Sequence, residues 1–165
     1  MGMNLTMIKA IQGHIDSSFD DERWLPAPGE PDRRRTMWFM GDDPDGPCVA
    51  TTTYPPNPDG KENAPTHSYS SDTIRIFVEG SFKVGTKWYK AGEMRFQEAG
   101  LFYGPLVVGP DGCKQVMIFE KRSSLFPNYA TEEEARAHAG NKEAYSRLMA
   151  ALGQPRAARP AAAGR

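Results

Sequence analysis

The stretch from Pro65 to Phe119 constrains the fold more than any other part of the chain. It is a succession of short β-type runs cut by glycine turns. Thr73-Ile-Arg-Ile-Phe-Val78 is β-branched and aromatic, with Ser70, Ser71 and Asp72 before it and Glu79-Gly80 after it. Ser81–Val84 and Lys87–Lys90 flank Gly85-Thr86, and a two-residue loop with Gly first fits a type II′ hairpin turn. Ala91-Gly92 turns the chain into Glu93–Gln97. After a Pro- and Gly-rich passage, Gln115–Phe119 reads as the next strand. Regularly spaced short strands with this punctuation predict an all-β barrel or sandwich.

The flanking sequence extends that pattern. Thr36–Met40 and Cys48–Tyr54 read as a hairpin around a Pro-Asp-Gly turn. The proline-rich loop from Tyr54 to Ala64 is a candidate lid over one mouth of a barrel. Leu5, Ile8, Ile11 and Ile15 fall at helical spacing, which predicts an N-terminal helix over Asn4–Ile15 that leaves His14 at the surface. Residues 16–35 read as an irregular arm in which Trp24-Leu-Pro26 docks on the barrel and Arg33, Arg34 and Arg35 form a solvated turn. Thr131 and Glu134 make a capping box, and Tyr145, Leu148, Met149 and Leu152 share a face of a second helical segment. The expected organisation is an N-terminal helix and arm over 1–35, a barrel over 36–128, C-terminal helices over 129–153 and a disordered tail over 154–165.

Composition narrows the function classes. A chain of 165 residues that is 39% hydrophobic and 10% aromatic suffices for one domain with a core. A net charge of −1 argues against non-specific nucleic-acid binding, which needs a basic face. Cys48 and Cys113 give no disulfide framework. No apolar run approaches the ~20 residues that span a bilayer, and no basic region followed by a long apolar core opens the chain. The expected partner is a small molecule, not nucleic acid or a membrane, and the expected location is the cytoplasm.

Residues 35 to 122 resemble the cupin superfamily. In the first cupin motif, His67 takes the first His position, Tyr69 stands where the second His is expected, Thr73 stands at the Glu and Gly80 closes the pattern; Gly60 is one residue too far back to open it. In the second motif, Gly92 opens, Glu98-Ala-Gly100 replaces Pro-x-Gly, Tyr103 stands at the His and Val107 at the Asn. The resemblance implies a double-stranded β-helix, a jelly-roll barrel of cupin type, here with an N-terminal helix and a C-terminal helical appendage. It also implies homodimer formation, which cupin barrels commonly show and which the sequence does not determine.

Most cupin metal sites combine two or three His with a carboxylate. Here one His remains in the frame, so no cofactor is expected; His67 and Glu98 are the residues that would touch a metal. Strand parity places Tyr69, Thr73, Arg75 and Phe77 inward if His67 points inward, unless a bulge at Ser70–Asp72 intervenes. An inward Arg75 needs an anion, either Glu98 or a ligand carboxylate. The expected site is therefore His67, Tyr69 and Tyr103 as acid–base groups, with Arg75, Thr73 and Glu98 as substrate-binding groups. Metal-free cupins include epimerases and isomerases that use a His–Tyr pair, which implies proton abstraction beside a carbonyl: an isomerase, epimerase, lyase or cyclase. Two other readings stay open. One is a non-catalytic ligand-binding or sensor barrel, in which Phe77, Phe96 or Met94 fill the space over His67 and Tyr103. The other is a metal-dependent dioxygenase with unusual ligands.

Overall fold

The computed structural model describes residues 6–10, 25–27, 30–41, 43, 45–139 and 143. Among the described residues the elements follow in chain order: β1 Thr6–Ala10, β2 Leu25–Ala27, β3 Glu30–Met40, β4 Cys48–Tyr54, β5 His67–Ser68, β6 Thr73–Val84, β7 Lys87–Lys90, β8 Met94–Gln97, β9 Leu106–Phe119, a single 3-10 turn Arg122–Leu125, β10 Asn128–Tyr129 and α1 Glu132–Ala137. The main sheet runs β1-β3-β4-β9-β6-β7, with β2 also on β3 and β8 also on β6; β5 and β10 form a separate pair.

Alternation along the strands builds one interior. Cys48, Ala50 and Thr52 on β4 face Phe119, Met117 and Gln115 on β9, and these face Thr73, Arg75 and Phe77 on β6. All nine are buried, as period-2 packing requires. Phe39, Phe77, Phe82 and Phe119 are the largest enclosed side chains of the core.

The long strands turn corners instead of stopping. The β6–β9 ladder shifts register between Phe77 and Glu79, and again between Gly80 and Phe82, where the segment from Gly109 to Gly112 bows out. Gly80 (φ +70°) makes this crossing possible: a Cβ there would lie 2.1 Å from the Gly112 carbonyl oxygen. The sequence predicts separate strands over Thr73–Val78 and Ser81–Val84 and a last one from Gln115; the structure joins the first two in β6 and starts β9 at Leu106.

The N-terminal expectation needs correction. Residues 6–10 form a strand parallel to Thr36–Met40, not a helix. An isolated helix of about 12 residues is marginal in water, whereas the edge of β3 offers a row of backbone groups that β1 pairs. The three arginines expected in a solvated turn lie within β3, and Arg34 and Arg35 pair with Thr53 and Thr52. His14, Trp24, the helical segment from Lys142 to Leu152 apart from Glu143, and the tail over 154–165 lie outside the described residues. The capping box is present: the Thr131 hydroxyl accepts from Glu134 N, and the Glu134 carboxylate accepts from Thr131 N. No helix among the described residues is long and apolar enough to cross a membrane.

The loop expected as a lid is pinned. Asn57 Nδ2 donates to the carbonyls of Lys61 and Val108, at 2.8 and 3.1 Å. The Asn63 side chain accepts from Val108 N at 2.7 Å, and Asn57 N donates to the Gly109 carbonyl. These bonds tie the loop to β9.

Candidate functional site

His67 and Tyr103 are joined through their backbones. His67 N donates to the Tyr103 carbonyl at 3.0 Å, and Tyr103 N donates to the His67 carbonyl at 2.9 Å. The next residue, Gly104, packs so closely on Thr66 that a Cβ would meet its Cα at 2.9 Å. This bridge sets the two side chains against each other, with ring centroids 4.7 Å apart. Tyr69 packs edge-on against the same imidazole at 5.4 Å and against Phe119 at 5.0 Å. Tyr129, opposite His67 in the β5–β10 pair, adds a fourth ring at 6.2 Å.

The protonation of His67 follows from its partners. Nδ1 lies 2.7 Å from the Pro65 carbonyl, which can only accept, so Nδ1 carries the proton and Nε2 carries the lone pair. Burial pushes its pKa down from 6.5 to about 4; the Pro65 bond works against that and the Arg75 charge adds to it. The imidazole is neutral at neutral pH.

Arg75 is the most demanding residue of the interior. It is 4% exposed, and its Nη2 donates to the Tyr103 hydroxyl at 3.3 Å. Its Nη1 is buried with no hydrogen-bond partner among the described residues. Its guanidinium carbon lies 5.1 Å from the Phe82 ring centroid and 5.8 Å from that of Tyr103. Arg95 stands directly opposite Arg75 in the β6–β8 ladder, with its guanidinium carbon 5.5 Å from the Tyr103 ring. Arg95 donates to neutral groups: the Tyr89 hydroxyl at 2.9 Å and Gln97 Oε1 at 2.6 Å. Like charges directly opposed across strands destabilise a sheet, and no carboxylate among the described residues pairs with either one.

The structure brings together His67, Tyr69, Thr73, Arg75 and Tyr103, all buried. The inward parity from His67 through Tyr69 to Phe77 holds. It does not bring in Glu98. Gln97 points inward, Glu98 is exposed, and the chain turns there as Leu101 N donates to the Glu98 carbonyl. Glu98 is neither the partner of Arg75 nor placed to join His67 as a metal ligand. Phe77 is in the core, stacked on Tyr89 at 5.0 Å, whereas Met94 and Phe96 are 68% and 62% exposed on the outer face and fill nothing.

No protein-family model matches the chain, and no curated protein matches its sequence. Solved structures do match its shape. The structure of KdgF from Halomonas sp. aligns at 17% identity and a TM-score of 0.50, over 70% of this chain and all of that one. The polyketide cyclase RemF from Streptomyces resistomycificus aligns at 17% identity and a TM-score of 0.50, over 75% of this chain and 87% of that one. The fold is that of the cupins. A looser likeness, at a TM-score of 0.48 and 17% identity, is to Rhodobacter sphaeroides SigE in complex with the anti-sigma ChrR; it covers 62% of this chain, which spans half the length of that one.

Cupins commonly hold a divalent metal, and the donor set here does not fit one. His67 is in place, but Tyr69, Thr73 and Tyr103 occupy the other three positions. Burial pushes the Tyr103 phenol up, away from the anionic form a metal would need. Among the described residues no group of three or more His, Cys, Asp and Glu could hold a metal ion.

Sequence reading missed Arg95, Thr52, Tyr54 and Gln115. Parity could have found three of them. Thr52 and Tyr54 share the face of Cys48 and Ala50 on β4, and Gln115 shares that of Met117 and Phe119 on β9.

Proposed function

We propose that this cupin barrel binds a small organic carboxylate and moves protons next to a carbonyl of that compound without a metal, as an isomerase, epimerase, lyase or cyclase does. The observation that carries the reading is Arg75: a buried guanidinium with an unbonded Nη1, opposed by a second arginine and paired with no carboxylate among the described residues. Guanidinium–carboxylate pairing is the strongest interaction such a group makes. A ligand carboxylate would also relieve the Arg75–Arg95 repulsion.

The remaining groups divide into donor and acceptor. The Tyr103 hydroxyl accepts from Arg75, so its own proton is available to a ligand oxygen. Its raised pKa keeps that proton on. His67 presents an unprotonated Nε2 as base. An anion bound at Arg75 offsets one of the causes that lower the His67 pKa, and so strengthens it as a base when ligand is present. Tyr69 and Thr73 shape the ligand's surroundings. The reading keeps the protein in the cytoplasm, with a small molecule as partner.

A second reading, a non-catalytic ligand-binding barrel, is favoured by one observation: at a pKa of about 4, His67 is a weak base before ligand arrives. Deuterium exchange separates the two. In D2O, small 2-oxo carboxylates are followed by proton NMR for exchange at the carbon beside the carbonyl. Catalysed exchange that is lost in His67→Gln supports the enzyme. Saturable carboxylate binding with exchange no faster than buffer supports the binding protein.

A further inference from the structure

A second set of polar atoms inside the barrel has nothing to bond to. Thr52 and Gln115 stand directly opposite each other in the β4–β9 ladder, and both are completely enclosed. Gln115 pairs with Phe77 on β6, while Arg75 pairs with Met117. Gln115 and Arg75 are therefore diagonal neighbours on one inner face, with Cα atoms roughly 7–8 Å apart by sheet geometry. Gln115 Nε2 donates to the Tyr54 hydroxyl at 3.2 Å and faces Met117 Sδ at 4.0 Å. The thioether sulfur can only accept, which puts Nε2 on that side of the amide; the Tyr54 hydroxyl then accepts from it, and Oε1 is the unbonded end. Gln115 Oε1 and Thr52 Oγ1 are buried without a hydrogen-bond partner among the described residues, as is Arg75 Nη1.

Packing alone does not call for these side chains. Leu and Val would fill nearly the same space, without two buried polar atoms that each destabilise the fold unless bonded. Both polar ends also meet one aromatic surface. The Phe82 ring lies 5.4 Å from the Tyr54 ring and 5.1 Å from the Arg75 guanidinium carbon. An open cleft of about 520 Å³, lined by Tyr54 and Cys113 with Pro55, Pro56, Glu79 and Asp111, lies beside the Tyr54 end of this pair.

We infer that the ligand is a hydroxylated carboxylate: its anionic end pairs with Arg75, and a hydroxyl of the same molecule donates to Gln115 Oε1 and bonds Thr52 Oγ1. This rests on the carboxylate reading above and adds the second pole. The spacing of the two poles suits a compact molecule of a few carbons.

A matched set of probes tests it by titration calorimetry: D-gluconate, hexanoate and D-glucitol. Each is titrated into wild type, Gln115→Leu, Thr52→Val and Arg75→Met. Gluconate is expected to bind wild type about tenfold more tightly than hexanoate, the worth of one buried hydrogen bond. Gln115→Leu and Thr52→Val each bring that ratio toward one and leave hexanoate affinity within about twofold. Glucitol binds far more weakly than gluconate, and Arg75→Met loses both carboxylates. Equal affinity of gluconate and hexanoate for wild type, with Arg75→Met losing both, overturns the hydroxyl pole alone. An unchanged ratio in both polar variants does the same. Failure of either carboxylate to bind wild type overturns the carboxylate reading with it. Unfolding midpoints report on the alternative role: both variants delete an unbonded buried polar atom, so midpoints at or above that of wild type are expected. A clear drop in both would make these residues part of the core, and the inference would fall.

Discussion

Arg75 Nη2 donates to the Tyr103 hydroxyl at 3.3 Å, and this is the one hydrogen bond the buried guanidinium makes among the described residues. A charged group enclosed with so little to hold it is a poor stabiliser. Replacing Arg75 with Met keeps the length and removes the charge. The ligand-free variant should unfold at the same temperature as wild type or a few degrees above it. Its thermal shift on adding small carboxylates should vanish. A fall of about 10 °C in the ligand-free midpoint would make Arg75 a structural residue, since it corresponds to roughly 3 kcal/mol for a domain of this size.

The His67 pKa implies an acid sensitivity whose sign is fixed. Its folded value lies near 4, below the unfolded 6.5, so between those values the unfolded chain takes up a proton that the native barrel refuses. Stability from this group is complete above about pH 7, and it is lost as pH falls from 6.5 toward 4, at up to about 1.4 kcal/mol per pH unit. Besides Arg75, the charges acting on the ring are Glu134, which raises the value, and His138, which lowers it. Urea unfolding of wild type and His67→Gln at pH 7.5, 6, 5 and 4.5 isolates the contribution. The wild-type curve should fall more steeply; parallel curves would mean that the imidazole takes up its proton at the same pH in the folded and unfolded chains.

Much of the barrel was legible because its signals are local. The strand Cys48–Tyr54 and the hairpin at Gly85-Thr86 were readable from β-branched runs and one glycine, and Gly85 has the positive φ of 60° that such a turn requires. The inward parity of Tyr69, Thr73, Arg75 and Phe77 was readable because the alternating positions from His67 stay buried across the bend at Ser70–Ser71. What escaped depended on distant partners. Leu5, Ile8 and Ile11 keep helical spacing, but residues 6–10 pair with β3, which no local pattern announces. Glu98 could serve as a carboxylate only if its side chain turned inward, and the turn after Gln97 exposes it. Arg95 was hidden for a similar reason: its importance lies in standing opposite Arg75, and only the β6–β8 register shows that.

The corner at Gly80 carries a prediction about the fold alone. Gly80 and Gly60 have nearly the same backbone, with φ of +70° and +63°, but a Cβ at Gly60 meets nothing within 4 Å. Gly60→Ala should cost about 1 kcal/mol through its backbone alone. Gly80→Ala adds a collision with the Gly112 carbonyl and should cost about 3 kcal/mol or more, seen as a midpoint lower by roughly 10 °C or as loss of folded protein. Equal effects of the two substitutions would mean that the β6–β9 corner opens more easily than its contacts suggest.

Tyr103→Phe separates binding from proton transfer. Burial holds the phenol well above its ordinary range, Tyr69 beside it adds to that, and Arg75 opposes it. The hydroxyl is therefore a proton donor across the whole working pH range, not a phenolate base. The variant keeps Arg75 and the ring that packs on His67, so carboxylate affinity should stay within about threefold of wild type. Exchange beside the carbonyl should slow by about a hundredfold, the usual worth of one positioned acid. Absorbance at 295 nm gives the independent check. From pH 8 to 10.5 the titrations of wild type and variant should superimpose, because Tyr103 does not ionise there. A variant that lacks one titrating phenol in that range would show Tyr103 losing its proton, and a variant that exchanges as fast as wild type would reduce its hydroxyl to a partner of Arg75.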